Sequence, residues 1–172
     1  MKKMTTIAIV SMMAIAFFAS CGGGSTVEHG VEINGIRWAT RNVDTPGTFV
    51  RNPENAGGLF TWEQAQYACP EGWRMPTDAE LETLVNTINE WTAMNRAYGR
   101  TFGTAPNQLF LPAAGSRSIT NGAILNAGAV GNYWAGVARG AGSAWSMHIT
   151  GTNSNMGSDA RARYFSVRCV AE

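Results

Sequence analysis

Cys69-Pro70-Glu71-Gly72-Trp73-Arg74-Met75-Pro76-Thr77 is the stretch on which the reading of this chain turns. It sets a cysteine at the end of one short helical pattern and a capping threonine at the start of another. Upstream, Thr61 and Gln64 have the spacing of a capping box for a helix running to about Ala68, with Trp62 and Ala65 on one face. Downstream, Thr77 and Glu80 repeat that spacing, and Leu81, Leu84, Val85 and Ile88 form the apolar stripe of a packed helix. Asp78, Glu80 and Glu82 sit in its first turns, where the helix dipole favours acids.

Further out, Val31-Glu32-Ile33 and Ile36-Arg37-Trp38 flank Asn34-Gly35, the strongest short hairpin signal. A loop rich in Pro, Gly and Asn is expected from Asp44 to Gly58. Phe165, Val167 and Cys169 alternate with Tyr164, Ser166 and Arg168, as in a half-buried strand. Trp38, Trp62, Trp73 and Trp91 are expected mostly in the core. The fold class expected is α+β: two helices, small antiparallel sheets and a long irregular loop region, with the terminal strands in one sheet.

The first 20 residues read as an export signal, with Lys2 and Lys3 ahead of the apolar run Ile7 to Phe18. As a helix that run spans about 18 Å, too short for a hydrocarbon core of about 30 Å. Ala19 and Ser20 before Cys21, then Gly22-Gly23-Gly24-Ser25, resemble the lipobox of bacterial lipoproteins, with Phe18 where Leu is usual. The alternative is an ordinary secretory peptide with an incidental Cys21. The organisation expected is a lipoprotein signal at 1–20, lipidation of Cys21, a flexible tether at 21–30 and one domain at 31–172. It implies a cell-envelope protein, anchored to the outer membrane through its lipid.

From Cys21 onward the chain carries 11 Arg against 12 Asp and Glu and no Lys. That balance excludes a phosphate-backbone binder, so no nucleic-acid partner is expected. The 45% hydrophobic share excludes disorder. With Cys21 lipidated, Cys69 and Cys169 are an even pair in an oxidising compartment, either bridged or two buried thiols. Neither has the company of a zinc site, because the only histidines are His29 and His148.

The run from Cys69 to Thr77, entered by Thr61-Trp62-Glu63-Gln64-Ala65-Gln66-Tyr67-Ala68, resembles the signature of the C-type lectin-like fold. The ending Phe165-Ser166-Val167-Arg168-Cys169-Val170 and the opening from Ile33 to Asn42 are similar to the Fibrobacter succinogenes major paralogous domain family, a group common in Bacteroidetes lipoproteins. The resemblance covers roughly residues 31–170, specific at both ends and loose between. It implies that Cys69 and Cys169 tie a helix end to the last strand.

On that fold, calcium-dependent sugar binding would need converging acids and carbonyls. Ala105-Pro106-Asn107 lacks the acid, and the chain from Trp91 to Ser158 has none. The formylglycine-generating enzyme, which shares the fold class, relies on paired active cysteines, whereas Cys69 and Cys169 look structural. Neither a metal nor a cofactor is expected. Gly136 to Ala144 has the glycines of a phosphate cradle without its lysine or its strand and helix context. Ser146, His148 and Asp159 are the residue types of a hydrolytic triad, but on a polar loop they read as contact groups. Arg96, Arg100, Arg117 and Arg139 read as scattered solvated cations or as a mildly basic face for an acidic glycan.

Twenty-four of the 35 residues from Asn126 to Ala160 are Gly, Ala, Ser, Thr or Asn, a composition expected to lie on the surface. Trp134 and Trp145 punctuate it as fixed anchors. The layout resembles the variable proteins of diversity-generating retroelements, in which adenines of a C-terminal repeat are substituted. Randomised Asn codons never give Lys, Glu or Gln, and none occurs from Ala135 to Tyr164. Met147 fits a scaffold position and Met156 is unexplained. The function expected is a lipid-tethered module for an unknown protein or glycan ligand, not an enzyme. Its site residues are Val137, Arg139, Ser143, Ser146, His148, Asn153, Asp159, Arg163 and Tyr164, on one surface. Rival readings are an envelope enzyme of the formylglycine-generating class and a structural assembly subunit.

Overall fold

The computed structural model describes residues 27–172. The export signal, Cys21 and most of the tether lie outside the described residues. The elements are β1 (Val31–Ile33), β2 (Ile36–Trp38), α1 (Trp62–Ala65), β3 (Trp73–Arg74), α2 (Asp78–Val85), β4 (Asn89–Met94), β5 (Ala97–Thr104), β6 (Asn107–Pro112), β7 (Ser116–Arg117), β8 (Ile124–Leu125), β9 (Val130–Ala138), β10 (Ser143–Thr150), β11 (Ser154–Ala160) and β12 (Val170–Ala171).

The architecture corrects the expected α+β, C-type lectin-like class: the chain is predominantly β, built of several small antiparallel sheets. The helices have four and eight residues. Both capping boxes form, with Thr61 accepting from the Gln64 backbone and Thr77 from the Glu80 backbone. Each start was therefore read correctly, but a capping box fixes where a helix begins and says nothing of where it stops. Ile88 lies beyond α2 and is exposed.

The second correction concerns the expected irregular region. Residues 130–160 form a three-stranded sheet in the order β11-β10-β9. Small residues let this sheet be packed on both faces instead of lying on a surface. A Cβ on Gly131 would meet Ile149 Cγ1 at 2.7 Å, so only glycine lets that side chain lie flat across β9. Trp145, Met147 and Ile149 point toward one face, where Met147 and Ile149 are fully buried with Tyr133, Leu81 and Leu84. Trp134 and Ala144 point to the other, against Phe60, Phe165 and Val167. Two apolar clusters thus share one sheet, with α2 covering the first face.

The Asn34-Gly35 hairpin forms with Ile33 opposite Ile36, and both turn residues adopt positive φ, 52° and 78°. This is the conformation a two-residue hairpin turn demands. β12 pairs with β2 and β3, giving the sheet β1-β2-β12-β3. The alternation expected over residues 164–169 is absent: Ser166 and Arg168 are as buried as Phe165 and Val167. Arg168 makes this possible by donating to Asn42 Oδ1 at 3.0 Å, Ala39 O at 3.0 Å and Phe110 O at 3.2 Å. One guanidinium therefore ties three segments together, and burial lowers its pKa to about 10. Trp38 is fully buried, whereas Trp62, Trp73 and Trp91 are only partly so.

Cys69 and Cys169 form a disulfide with Cα atoms 6.0 Å apart, joining the chain after α1 to the entry of β12. Ahead of β1, the Glu28 carboxylate accepts from the Gly30 and Thr40 backbones, from Thr40 Oγ1, and from Arg41 Nε at 2.6 Å. Glu28 to Gly30, expected as tether, are thereby fastened to the folded body.

Candidate ligand-binding face

In an antiparallel sheet, directly paired residues share a face. Ala144 pairs with Asp159, Ser146 with Gly157 and His148 with Asn155, so Ser146, His148 and Asp159 project together. The Ser146 hydroxyl donates to Asp159 Oδ2 at 2.7 Å and its oxygen lies 3.2 Å from His148 Nε2. His148 Nε2 is itself 3.1 Å from Asp159 Oδ2. On the other side of the ring, Nδ1 lies 2.8 Å from Asn132 Oδ1. Asn132 Nδ2 donates to Gly115 O, which fixes the amide so that its oxygen faces the histidine. Each ring nitrogen therefore lies within hydrogen-bonding distance of an oxygen of the cluster.

Burial by itself would raise the Asp159 pKa, but hydrogen bonds from His148 and Ser146 and the nearby charges of His148 and Arg163 hold it below the ordinary carboxylate value. Arg163 Nε approaches Asp159 Oδ1 at 3.5 Å from a side chain that is 60% exposed. This loose contact leaves the guanidinium available to solvent.

The residues of a hydrolytic triad are present without its geometry. A triad places the nucleophile on one ring nitrogen and the carboxylate on the other. Here Ser146 and Asp159 crowd the same nitrogen, Asn132 occupies the other, and Ser146 is fully buried. The serine hydroxyl gives its hydrogen to Asp159, so it works as a strut inside the cluster. Among the described residues there is no group of three or more His, Cys, Asp or Glu side chains arranged to hold a metal ion.

The nine expected site residues do not share one surface. Ser146, His148 and Asp159 form the cluster, and Arg163 joins it from the chain after β11. Tyr164 is half-buried, with the Arg117 guanidinium 5.9 Å from its ring. Arg139 belongs to the opposite face: its guanidinium lies 4.4 Å over the Trp145 ring and donates to Ser158 Oγ at 2.8 Å, and Trp145 pairs with Ser158. Ser143, two residues before Trp145 on β10, accepts from the Arg139 backbone and from Arg161. Val137, on β9, lines a hollow with Trp73, Met75 and Thr77 near the disulfide. Asn153 is exposed in the β10–β11 turn and accepts from Thr150 Oγ1.

Two members of the cluster escaped the sequence reading. Asn132 orients His148 from β9, and Gly157 gives the imidazole its room. Residue type singled out Ser146 and His148, whereas cross-strand partners follow only from the register of three strands.

The fold and face together define a small disulfide-bridged β domain whose central sheet presents a half-open polar cluster. The chain belongs to the Fibrobacter succinogenes major domain family, whose model matches residues 40–171. No curated protein and no solved structure matches it.

Proposed function

We propose that this protein is a lipid-anchored ligand-binding module of the cell envelope, held at the outer membrane through Cys21 and recognising a protein or glycan on the His148–Asp159–Arg163 face. The observation that carries the reading is the pairing of a preorganised, partly buried His–Asp cluster with the exposed Arg163 guanidinium. Such a surface offers a fixed acceptor and an exposed donor, and Arg is a common anchor at interfaces. Ser146 and Asn132 hold the cluster from beneath, as rigid support for recognition requires.

The envelope-enzyme alternative draws no support from this geometry, because the one serine beside His148 is buried and turned to Asp159. Cys69 and Cys169 are consumed in a bridge, which leaves neither as a thiol for oxidase chemistry.

Sequence diversification by a retroelement fits part of the pattern. Arg139, Asn153 and Arg163 are exposed, while Met147 is fully buried and Met156, its cross-strand partner, packs on the same core. Both methionines thus stand at scaffold positions. The test is the neighbouring DNA: a near-copy of the codons for the last 40 or so residues beside a reverse transcriptase gene supports diversification, and its absence refutes it. Binding is tested separately. Replacing the exposed Arg163 and Asn155 together by Ala should remove ligand binding with little change in melting temperature, because exposed substitutions shift stability by less than about 0.5 kcal/mol.

A further inference from the structure

Four of the seven exposed large hydrophobic side chains among the described residues, Tyr98, Ile119, Ile124 and Leu125, gather around the β7–β8 hairpin. Monomeric surfaces seldom concentrate apolar side chains without a partner for them. Tyr98 and Ile124 line a cleft of about 320 Å3, together with Leu59, Pro112 and a run of alanines. That volume lies at the lower end of the range of ligand pockets. Tyr98 is held in place by stacking on Trp91, with ring centroids 6.5 Å apart and planes 7° from parallel. Ile119 and Leu125 line a second cleft of about 220 Å3 on the other side of the hairpin.

Arginines link the two. Arg96 and Arg117 both line the first cleft, and Arg117 and Arg163 line the second, so Arg117 stands between them. The two linings hold one carboxylate, Glu54, whose Oε1 already accepts from Asn95 Nδ2 at 2.9 Å, and Arg163 also meets Asp159 Oδ1 at 3.5 Å outside them. Arg96 and Arg117 are exposed, and among the described residues neither forms an ion pair. Arg117 lies over the Tyr164 ring, a contact that leaves its donors free for an anion.

We propose that the two clefts form one binding surface for an acidic polypeptide segment, whose aliphatic or aromatic side chains enter the clefts while its carboxylates meet Arg96, Arg117 and Arg163. The mainly aliphatic lining favours the peptide over a sugar: apart from the charged groups and Tyr98, the first cleft presents Leu, Pro, Ile and Ala side chains, so the Tyr98 phenol is the one uncharged side-chain partner for hydroxyls in its lining. Excess cationic charge selects acids over a neutral chain. The surface shares Arg163 with the His148 face, but the two clefts, Arg96 and Arg117 require no ligand there.

The test is fluorescence anisotropy with the full-length protein and a labelled short peptide of alternating Glu and Leu. Three probes accompany it: the same peptide with Gln for Glu, a polyglutamate of equal length and an oligogalacturonate. The Glu/Leu peptide should bind saturably, better than all three, and less tightly as salt rises. The double variant R96E/R117E should weaken it at least about tenfold, with an unchanged melting temperature because both side chains are exposed and outside any ion pair. R96A/R117A should lose less. Equal binding of the Gln peptide, equal or tighter binding of polyglutamate or oligogalacturonate, unchanged binding by R96E/R117E, or no saturable binding of the Glu/Leu peptide would each overturn the proposal. Failure here leaves the Arg163/Asn155 test untouched, and failure of that test leaves this one standing.

Discussion

Gly157 is glycine because His148 lies across it. A Cβ on Gly157 would meet His148 Nε2 at 2.6 Å and Cδ2 at 2.8 Å, closer than real contacts allow. The ring has little room to retreat, being held by Asn132 and Asp159 and set edge-on to Phe165 with centroids 6.2 Å apart.

Gly157→Ala should therefore displace the imidazole and cost about 1 to 3 kcal/mol, the usual range for overpacking. The Asp159 pKa should rise toward its ordinary value as the His148 hydrogen bond is lost. Denaturant melts and a carboxylate titration by NMR check the two effects, and an unshifted Asp159 would mean the ring had not moved.

Reduction of Cys69–Cys169 releases a loop of 100 residues. In the chain-entropy model such a bridge contributes about 4 to 5 kcal/mol. Urea unfolding with and without a reductant should show a loss of that order; a midpoint unmoved by full reduction would contradict it.

Glu80 supplies the acid limb of stability. Hydrogen bonds from Arg74, at 2.7 and 2.9 Å, together with those from Thr77, lower its pKa to about 2, well under the unfolded value of 4.5. A depressed carboxylate contributes its stability above the unfolded pKa and loses it as pH falls through the folded one. Melting temperature should thus decline between about pH 4.5 and pH 2, and Glu80→Gln should flatten that part of the profile.

Arg168→Met should be among the costliest single changes. It leaves Asn42 Oδ1 and the carbonyls of Ala39 and Phe110 without their donor inside the core. Buried unsatisfied groups cost about 1 to 3 kcal/mol each, so a loss of several kcal/mol is expected in equilibrium unfolding.

Local signals in the sequence carried well. Asn34-Gly35 turns because the hairpin needs two positive φ angles, and Thr61 and Thr77 start helices because their hydroxyls satisfy backbone donors three residues on. What stayed hidden was tertiary. The sheet of β9, β10 and β11 reads as loop because its small residues dilute the apolar pattern, yet Gly131 and Gly157 are small so that Ile149 and His148 can lie over them. Arg168 imitates the polar half of a strand, and nothing local says that three acceptors wait for it in the core. Of the site, residue type singled out Ser146, His148 and Asp159, but Asn132 and the opposite placement of Arg139 depend on strand register.

Recognition by the His148–Asp159–Arg163 face is decided by binding of the full-length protein and its Arg163→Ala/Asn155→Ala variant to an array of defined glycans and purified surface proteins. The native protein should bind a discrete subset, the variant should lose those signals by about tenfold or more, and both should melt at the same temperature. Undiminished binding by the variant, or no binding by the native protein to any member, would contradict it.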